Sequence, residues 1–226
     1  MNLSRCVKDD IIAFLKRADN ELLFNERDLQ VHLCTWLRNS KNAYDDVDIE
    51  YYVPYRVLDD YIWNNELRLD LVVEKDGEYL PIELKYKTKA ISRNIKRFGQ
   101  DLVDKEGSPF FIQVVKNQGA KDLGMYDFWK DVRRIELINQ RFERVKGGLA
   151  LFLTNDKSYL KEPRSTSNNY LFSMSNGEHA LDKRWQNPQS ATALGHPDFK
   201  VTKEYEIVWD EISMQDVDMY YCILTI

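Results

Sequence analysis

The dipeptide Asp76-Gly77 lies between two alternating apolar runs, "LRLDLVVEK" and "EYLPIELKYK", and it restricts the fold more than any other feature of the chain. Asp-Gly is a preferred two-residue hairpin turn because both central residues can take positive φ. Placing those two residues at the tip sets the register: Lys75 faces Glu78, Val73 faces Leu80, and Asp70 faces Glu83. Alternation then assigns Leu69, Leu71, Val73, Leu80, Ile82 and Leu84 to one face, and Asp70, Val72, Pro81, Glu83 and Lys85 to the other. Counting outwards from the turn, 70/83 is a non-hydrogen-bonded pair, the kind in which side chains stand closest.

Two carboxylates are thus expected side by side, with a lysine next to them. Like charges directly opposite one another destabilise a sheet, and a covering helix adds a desolvation cost. A hard divalent cation reverses both effects, since Mg²⁺ takes oxygen ligands and commonly uses one or two carboxylates, waters and a substrate phosphate. A solvated face screened by Lys85 would also accommodate these charges. Val72 and Pro81 share the face, and helical segments flank the hairpin on both sides, which favours a covered face and bound Mg²⁺ (or Mn²⁺) on Asp70 and Glu83.

At 226 residues the chain can form one sizeable core, and a single domain spanning 1–226 is the simplest organisation. No apolar run approaches the roughly 20 residues a membrane span needs, and the N-terminus lacks the pattern of a signal peptide. Three scattered cysteines, Cys6, Cys34 and Cys222, suit a reducing cytoplasm, and the three histidines have no metal-ligand spacing. The net charge of −5 argues against coating nucleic acid nonspecifically but allows a local patch. One exists: "LKYKTKAISRNIKRFGQ" carries six basic residues and no acid, which leaves −11 on the remainder.

Periodicity predicts helices over "DDIIAFLKRA" (9–18) and over 25–39, the latter capped by Asn25 with Glu26 and Asp28 in its first turn. A strand is predicted over 47–58. After the hairpin, the apolar spacing of Ile91, Ile95, Phe98 and Leu102 predicts a helix over 91–107, and "PFFIQVV" (109–115) reads as a strand buried on both faces. A long helix is expected from Tyr126 to the Gly147-Gly148 stop, followed by a buried strand, "LALFLTND". Residues 157–200 read as an extended or lid-like insertion, and the C-terminus supplies one or two closing strands.

An acid on one strand, then Glu-x-Lys on the next, preceded by an acid-bearing helix and followed by a basic helix, resembles the PD-(D/E)XK phosphodiesterase superfamily of restriction-endonuclease-like nucleases. The matching residues are Asp70 in "RLDLVV", Glu83-Leu84-Lys85 in "PIELKYK", and Glu26 in "NERDLQ". Leu69 stands where the superfamily pattern has proline. The second half, with "YDFWKDVRRIE" and "LFLTND", is similar to bacterial members rather than to a restriction enzyme of known target.

The resemblance implies an α/β fold with a restriction-endonuclease-like core in α-β-β-β-α-β order over about 22–116. A mixed central sheet would be flanked by helices, with a C-terminal elaboration over 117–226. It implies a Mg²⁺-dependent nuclease acting on DNA, in restriction, phage defence or repair. By position, Asp70 and Glu83 would ligate the metal with the Leu84 carbonyl, and Glu26 would join through water. Lys85 would orient or deprotonate the attacking water and stabilise charge on the phosphorus. Inactive members exist, so the alternative is a nucleic-acid-binding or regulatory module that keeps the fold, and a purely structural domain is the third possibility.

Lys87, Lys89, Arg93, Lys96 and Arg97 are candidates to track a phosphate backbone beside the site, with Gln100 as a weaker contact. Gln30 lies on the Glu26 stripe and could hold a metal water or border the core. Asp127, Asp131, Arg134 and Glu136 read as surface ion pairs at helical spacing. Trp129, Trp185 and Trp209 could stack bases, as in single-strand binders, with core or interface packing as the default reading. A homodimer is a natural expectation for nucleases of this kind, and the helix at 126–146 is the candidate surface.

Overall fold

The computed structural model describes residues 2–17 and 21–226. Helix α1 (Leu3–Leu15) begins before the predicted start because Asn2 Oδ1 accepts the Arg5 N–H at 3.0 Å and caps an earlier turn. The last residue of the predicted segment, Ala18, lies outside the described residues. Helix α2 (Glu26–Arg38) is capped as expected, Asn25 Oδ1 accepting the Asp28 N–H at 2.9 Å. Its buried stripe is Leu29, Gln30, Leu33, Cys34 and Leu37.

Strand β1 (Asp46–Val53) ends at Pro54. Strands β2 (Leu67–Lys75) and β3 (Glu78–Lys87) form the hairpin in the expected register, with Lys75 opposite Glu78 and Leu71 opposite Ile82. Asp76 and Gly77 take φ of 51° and 74°, the left-handed pair this turn requires.

The segment after β3 departs from expectation. Residues 91–107 form no helix. They make strands β4 (Ile91–Asn94), β5 (Lys96–Arg97) and β6 (Gln100–Asp101), with a tight reversal at Phe98-Gly99, where φ is 51° and 80°. The apolar spacing mimicked a helix, but Gly99 lies in its middle and no capping residue precedes it. Strand β7 (Phe111–Val115), expected to be buried, pairs with β4 in a projecting ribbon and buries only Val115 completely. The base of the ribbon is closed by Thr88, whose hydroxyl donates to Lys116 O at 2.9 Å and whose carbonyl accepts Gln118 N–H at 2.8 Å.

The helix and strand that follow the hairpin in the central layers are therefore α3 (Lys121–Arg141) and β8 (Leu149–Thr154), both beyond the expected core boundary near 116. β8 lies parallel to β3, with Glu83 beside Ala150 and Lys85 beside Phe152. Short strands β9 (Gly177–His179), β10 (Asp182–Lys183), β11 (Phe199–Lys200) and β12 (Tyr205–Ile207), with helix α4 (Ala191–Gly195), make up the irregular C-terminal part. β13 (Asp210–Met214) and β14 (Val217–Thr225) then return to the sheet.

Among the described residues the central sheet has six strands, in the order β1-β2-β3-β8-β14-β13, antiparallel except at β3/β8. The fold is a mixed α/β arrangement, with helices on both faces. α1 and α2 bury Leu71, Val73, Leu80, Ile82 and Leu84 on one face. α3 covers Val72, Ala150 and Phe152 on the other. Gly148, just before β8, permits this close approach. A Cβ there would stand 2.3 Å from Ile135 Cγ2 and 3.1 Å from the Pro81 carbonyl oxygen.

The segment expected to be lid-like instead packs over α3. Tyr159, Phe172, Met174, Trp185 and Phe199 are buried there with Trp129. Asp131, Arg134 and Glu136 of α3 are buried as well, so they are not surface ion pairs. No helix among the described residues is long and apolar enough to cross a membrane.

Candidate active site at the parting of two strands

The β2/β3 ladder ends at Leu71/Ile82. Below that point β2 stays with β1, pairing Leu69 with Tyr51 and Leu67 with Val53, and leaves β3. The break falls at Asp70 and, across the β1 ladder, at Glu50, which is missing from the register and has a φ of 54°. The alternation expected on β2 fails at the same place: Leu71 faces α1 and α2, whereas Leu69 joins the core under α3. Gln30 of α2 pins the break by donating Nε2 hydrogens to Asp70 O at 2.8 Å and to Glu50 Oε1 at 3.1 Å.

In a continued ladder the N–H groups of Leu84 and Tyr86 would have bonded to β2. Side chains take those bonds instead. Asp70 Oδ2 accepts the Leu84 N–H at 2.6 Å, and Glu26 Oε2, from the first turn of α2, accepts the Tyr86 N–H at 2.9 Å. The two acids thus replace a missing strand partner, which satisfies the buried donors and sets both carboxylates at the opening.

Glu83 lies within electrostatic reach of Asp70 and is 3% exposed. Its Oε1 is buried and has no hydrogen-bond partner. Burial, then Asp131 and Asp70, raise the Glu83 pKa well above the usual glutamate value. Burial likewise raises Asp70 to about 6, against the lowering effects of Lys85 and the Leu84 N–H.

Lys85 Nζ forms an ion pair with Asp131 Oδ2 and donates to the Leu84 carbonyl at 3.2 Å. Burial alone would lower the Lys85 pKa, but Asp131, Glu83, Asp70 and Glu26 together hold it above the ordinary lysine value. Asp131 also binds Arg134, Nη1 to Oδ1 at 3.2 Å, and Arg134 reaches Asn65 Oδ1 at 3.3 Å. Asp131 and Arg134 were missed as site residues. The available signal was position: 128, 131, 135 and 138 lie on one helical stripe, so Asp131 is a polar residue on the buried face.

A cavity of about 340 Å³ opens over Lys85, Asp131 and Glu26, lined also by Asn65, Glu66, Arg68, Lys87, Asp127, Lys130 and Arg134; Asp70 and Glu83 lie behind this lining and not in it. A larger apolar groove of about 550 Å³, between Tyr51, Tyr52 and the C-terminal end of α3, touches none of the acids and is set aside as a reaction site.

The predicted site residues thus divide. Asp70, Glu83, Leu84, Lys85 and Glu26 converge. Lys87 lines the cavity. Lys89 is held by Asp156 at 3.1 Å, and Arg93 donates to the Gln215 carbonyl. Lys96, Arg97 and Gln100 are exposed on the ribbon and not on a helix.

No group of three or more His, Cys, Asp or Glu side chains is arranged to hold a metal among the described residues. The donor set for a cation is smaller: a carboxylate pair, one of its oxygens orphaned, beside the Leu84 carbonyl. Two raised carboxylates and a partnerless buried oxygen suit a hard divalent cation, which keeps several waters of its own. Compared with protein-family models, with curated proteins and with solved structures, the chain matches none.

Proposed function

We propose that the chain is a divalent-metal-dependent phosphodiesterase that hydrolyses nucleic acid, with DNA as the expected substrate and restriction, phage defence or repair as the setting. The observation that carries this reading is the Asp70/Glu83 pair: two neighbouring acids in a mostly buried place that disfavours the ionised form of both, which a bound divalent cation would reverse. The run α2-β1-β2-β3-α3-β8, with β3 and β8 parallel, supports a restriction-endonuclease-like core once the ribbon is treated as an insertion.

Asp70 and Glu83, with the Leu84 carbonyl, would hold Mg²⁺ or Mn²⁺, and Glu26 would reach it through a water. When bound, such an ion polarises a phosphate and lowers the pKa of its water. The chain's own groups do the rest. Lys85 is held as an ammonium group and so donates to a phosphate oxygen as negative charge develops. Asp131 fixes Lys85 and Arg134 beside one another, which presents two cations to the cavity. Lys87, Arg68 and Lys130 at the rim attract and seat the phosphate backbone.

The second reading, an inactive nucleic-acid-binding or regulatory module, is favoured by one observation. Glu26 is engaged by the Tyr86 N–H and Asp131 by Lys85 and Arg134, which leaves only the Asp70/Glu83 pair for a metal. The test is Mg²⁺- or Mn²⁺-dependent, EDTA-sensitive cleavage of plasmid, single-stranded DNA and RNA, with Asp70→Ala and Lys85→Ala as controls. Cleavage lost in both variants supports the phosphodiesterase. Binding without cleavage by the wild type supports the module.

A further inference from the structure

The buried tryptophans Trp129 and Trp185 offer no ring to a ligand, whereas the ribbon exposes Phe98, Phe110 and Phe111, Phe98 the most of the three. Phe98, at the tip of the ribbon, is fully exposed, with a relative accessibility of 104%. Its φ of 51° is one that a side chain with a Cβ disfavours, and Asn or Gly would build the same turn with less strain. The phenyl ring therefore contributes nothing to folding at a position where it adds strain.

Its surroundings are cationic and braced. Over residues 89–101 the basic side chains are Lys89, Arg93, Lys96 and Arg97, and the only acid is Asp101, opposite Lys96. Asn94 Nδ2 ties the two arms by donating to Leu102 O at 2.5 Å and to Phe110 O at 2.9 Å. The Arg97 guanidinium lies over the Phe24 ring, 5.5 Å from its centroid, so the tip is anchored two residues from Glu26.

We infer that the ribbon tip is a base-stacking site: Phe98 stacks on an unpaired base of the nucleic acid while Lys96 and Arg97 hold its phosphates, which makes single-stranded or locally unpaired nucleic acid the ligand. This deepens the proposed function and rests on its nucleic-acid component, not on catalysis. A paired duplex hides its base faces, whereas an unstacked base exposes a flat apolar surface on a polyanion, and a ring flanked by cations complements that combination.

The test is equilibrium binding in EDTA, where no cleavage occurs, of fluorescent single-stranded and duplex oligonucleotides of about 16 nucleotides. Phe98→Ala should weaken single-strand binding about tenfold and leave duplex binding unchanged, with Phe98→Trp restoring it. Lys96→Gln and Arg97→Gln should weaken both, each lowering the single-strand salt slope by roughly 0.7. A 2-aminopurine base in the strand should change fluorescence on binding the wild type and not on binding Phe98→Ala. Phe98→Gly should melt no lower than the wild type, because the ring supports nothing in the fold.

Unchanged single-strand affinity in Phe98→Ala, or equal losses for single strand and duplex, overturns the inference. So does a wild type that binds anionic lipid vesicles or nothing in place of oligonucleotides. A wild type that binds through Phe98 but never cleaves sinks the phosphodiesterase alone, whereas cleavage with an indifferent Phe98 sinks the stacking site alone.

Discussion

Replacing Asp70 with Asn removes a mostly buried charge and leaves an oxygen to accept the Leu84 N–H. The carboxyl rises from its ordinary 3.8 to about 6, chiefly through burial. At about 1.4 kcal/mol for each pH unit, that rise corresponds to ~3 kcal/mol of destabilisation by the ionised form. Below pH about 4 Asp70 is protonated in the folded and unfolded chains alike and contributes nothing. Between pH 4 and 6 the unfolded chain ionises first. Above pH 6 the folded protein carries the charge and the full cost is present, so this contribution to stability falls as pH rises through the window.

In EDTA at pH 7.5, Asp70→Asn should therefore melt above the wild type. For a chain of this length ~3 kcal/mol corresponds to roughly 6–12 °C. At pH 4 the two should melt together. Mg²⁺ at about 100 times its dissociation constant should return ~2.7 kcal/mol to the wild type and little to the variant, nearly closing the gap. Differential scanning calorimetry at both pH values, with and without Mg²⁺, is the assay. A variant that melts at or below the wild type at pH 7.5 in EDTA, or a difference that ignores pH, would refute the argument that a destabilised anion occupies this position.

Three further outcomes follow from the packing. Lys85→Met strips Asp131 of one of its two cations and should cost ~3–5 kcal/mol in urea unfolding; a loss below about 1 kcal/mol would mean the pair is effectively solvated. Glu136 Oε1 accepts from Thr202 N–H at 2.8 Å, Thr202 Oγ1–H at 2.7 Å and Tyr205 O–H at 2.9 Å. Glu136→Ala should cost roughly 3 kcal/mol and open the segment around 200–207 to protease, read by mass spectrometry of the fragments. Gly148→Ala drives a Cβ into Ile135 and should cost about 1–3 kcal/mol by chemical denaturation, with partial relief in an Ile135→Val background.

The hairpin was legible because its determinants are local: a turn dipeptide that demands positive φ and an alternation that fixes register. α2 was legible for the same reason, through its cap and stripe. The ribbon was not. Ile91, Ile95, Phe98 and Leu102 satisfy a helical spacing that a pair of short hairpins satisfies equally, and pairing with β7 over the core decided between them. The nearness of Asp70 to Glu83 was readable, but the expected ladder pair 70/83 does not form, since the register stops at Leu71/Ile82. The parting of β2 from β3 was not readable, because it arises from Glu50 on β1 and Gln30 on α2, residues distant in sequence. Asp131 was obscured by reading the charges of α3 as a set, when its place among Phe128 and Ile135 pointed inward.

The carboxylates of Asp70 and Glu26 bond directly to two main-chain amides, which makes the charge state of the centre visible from the backbone. An amide proton held by an anion resonates and exchanges differently from one held by a neutral acid or released when a cation draws the carboxylate away. The Leu84 and Tyr86 resonances are thus built-in reporters of protonation and ion binding, readable without substrate and without any added label beyond nitrogen-15.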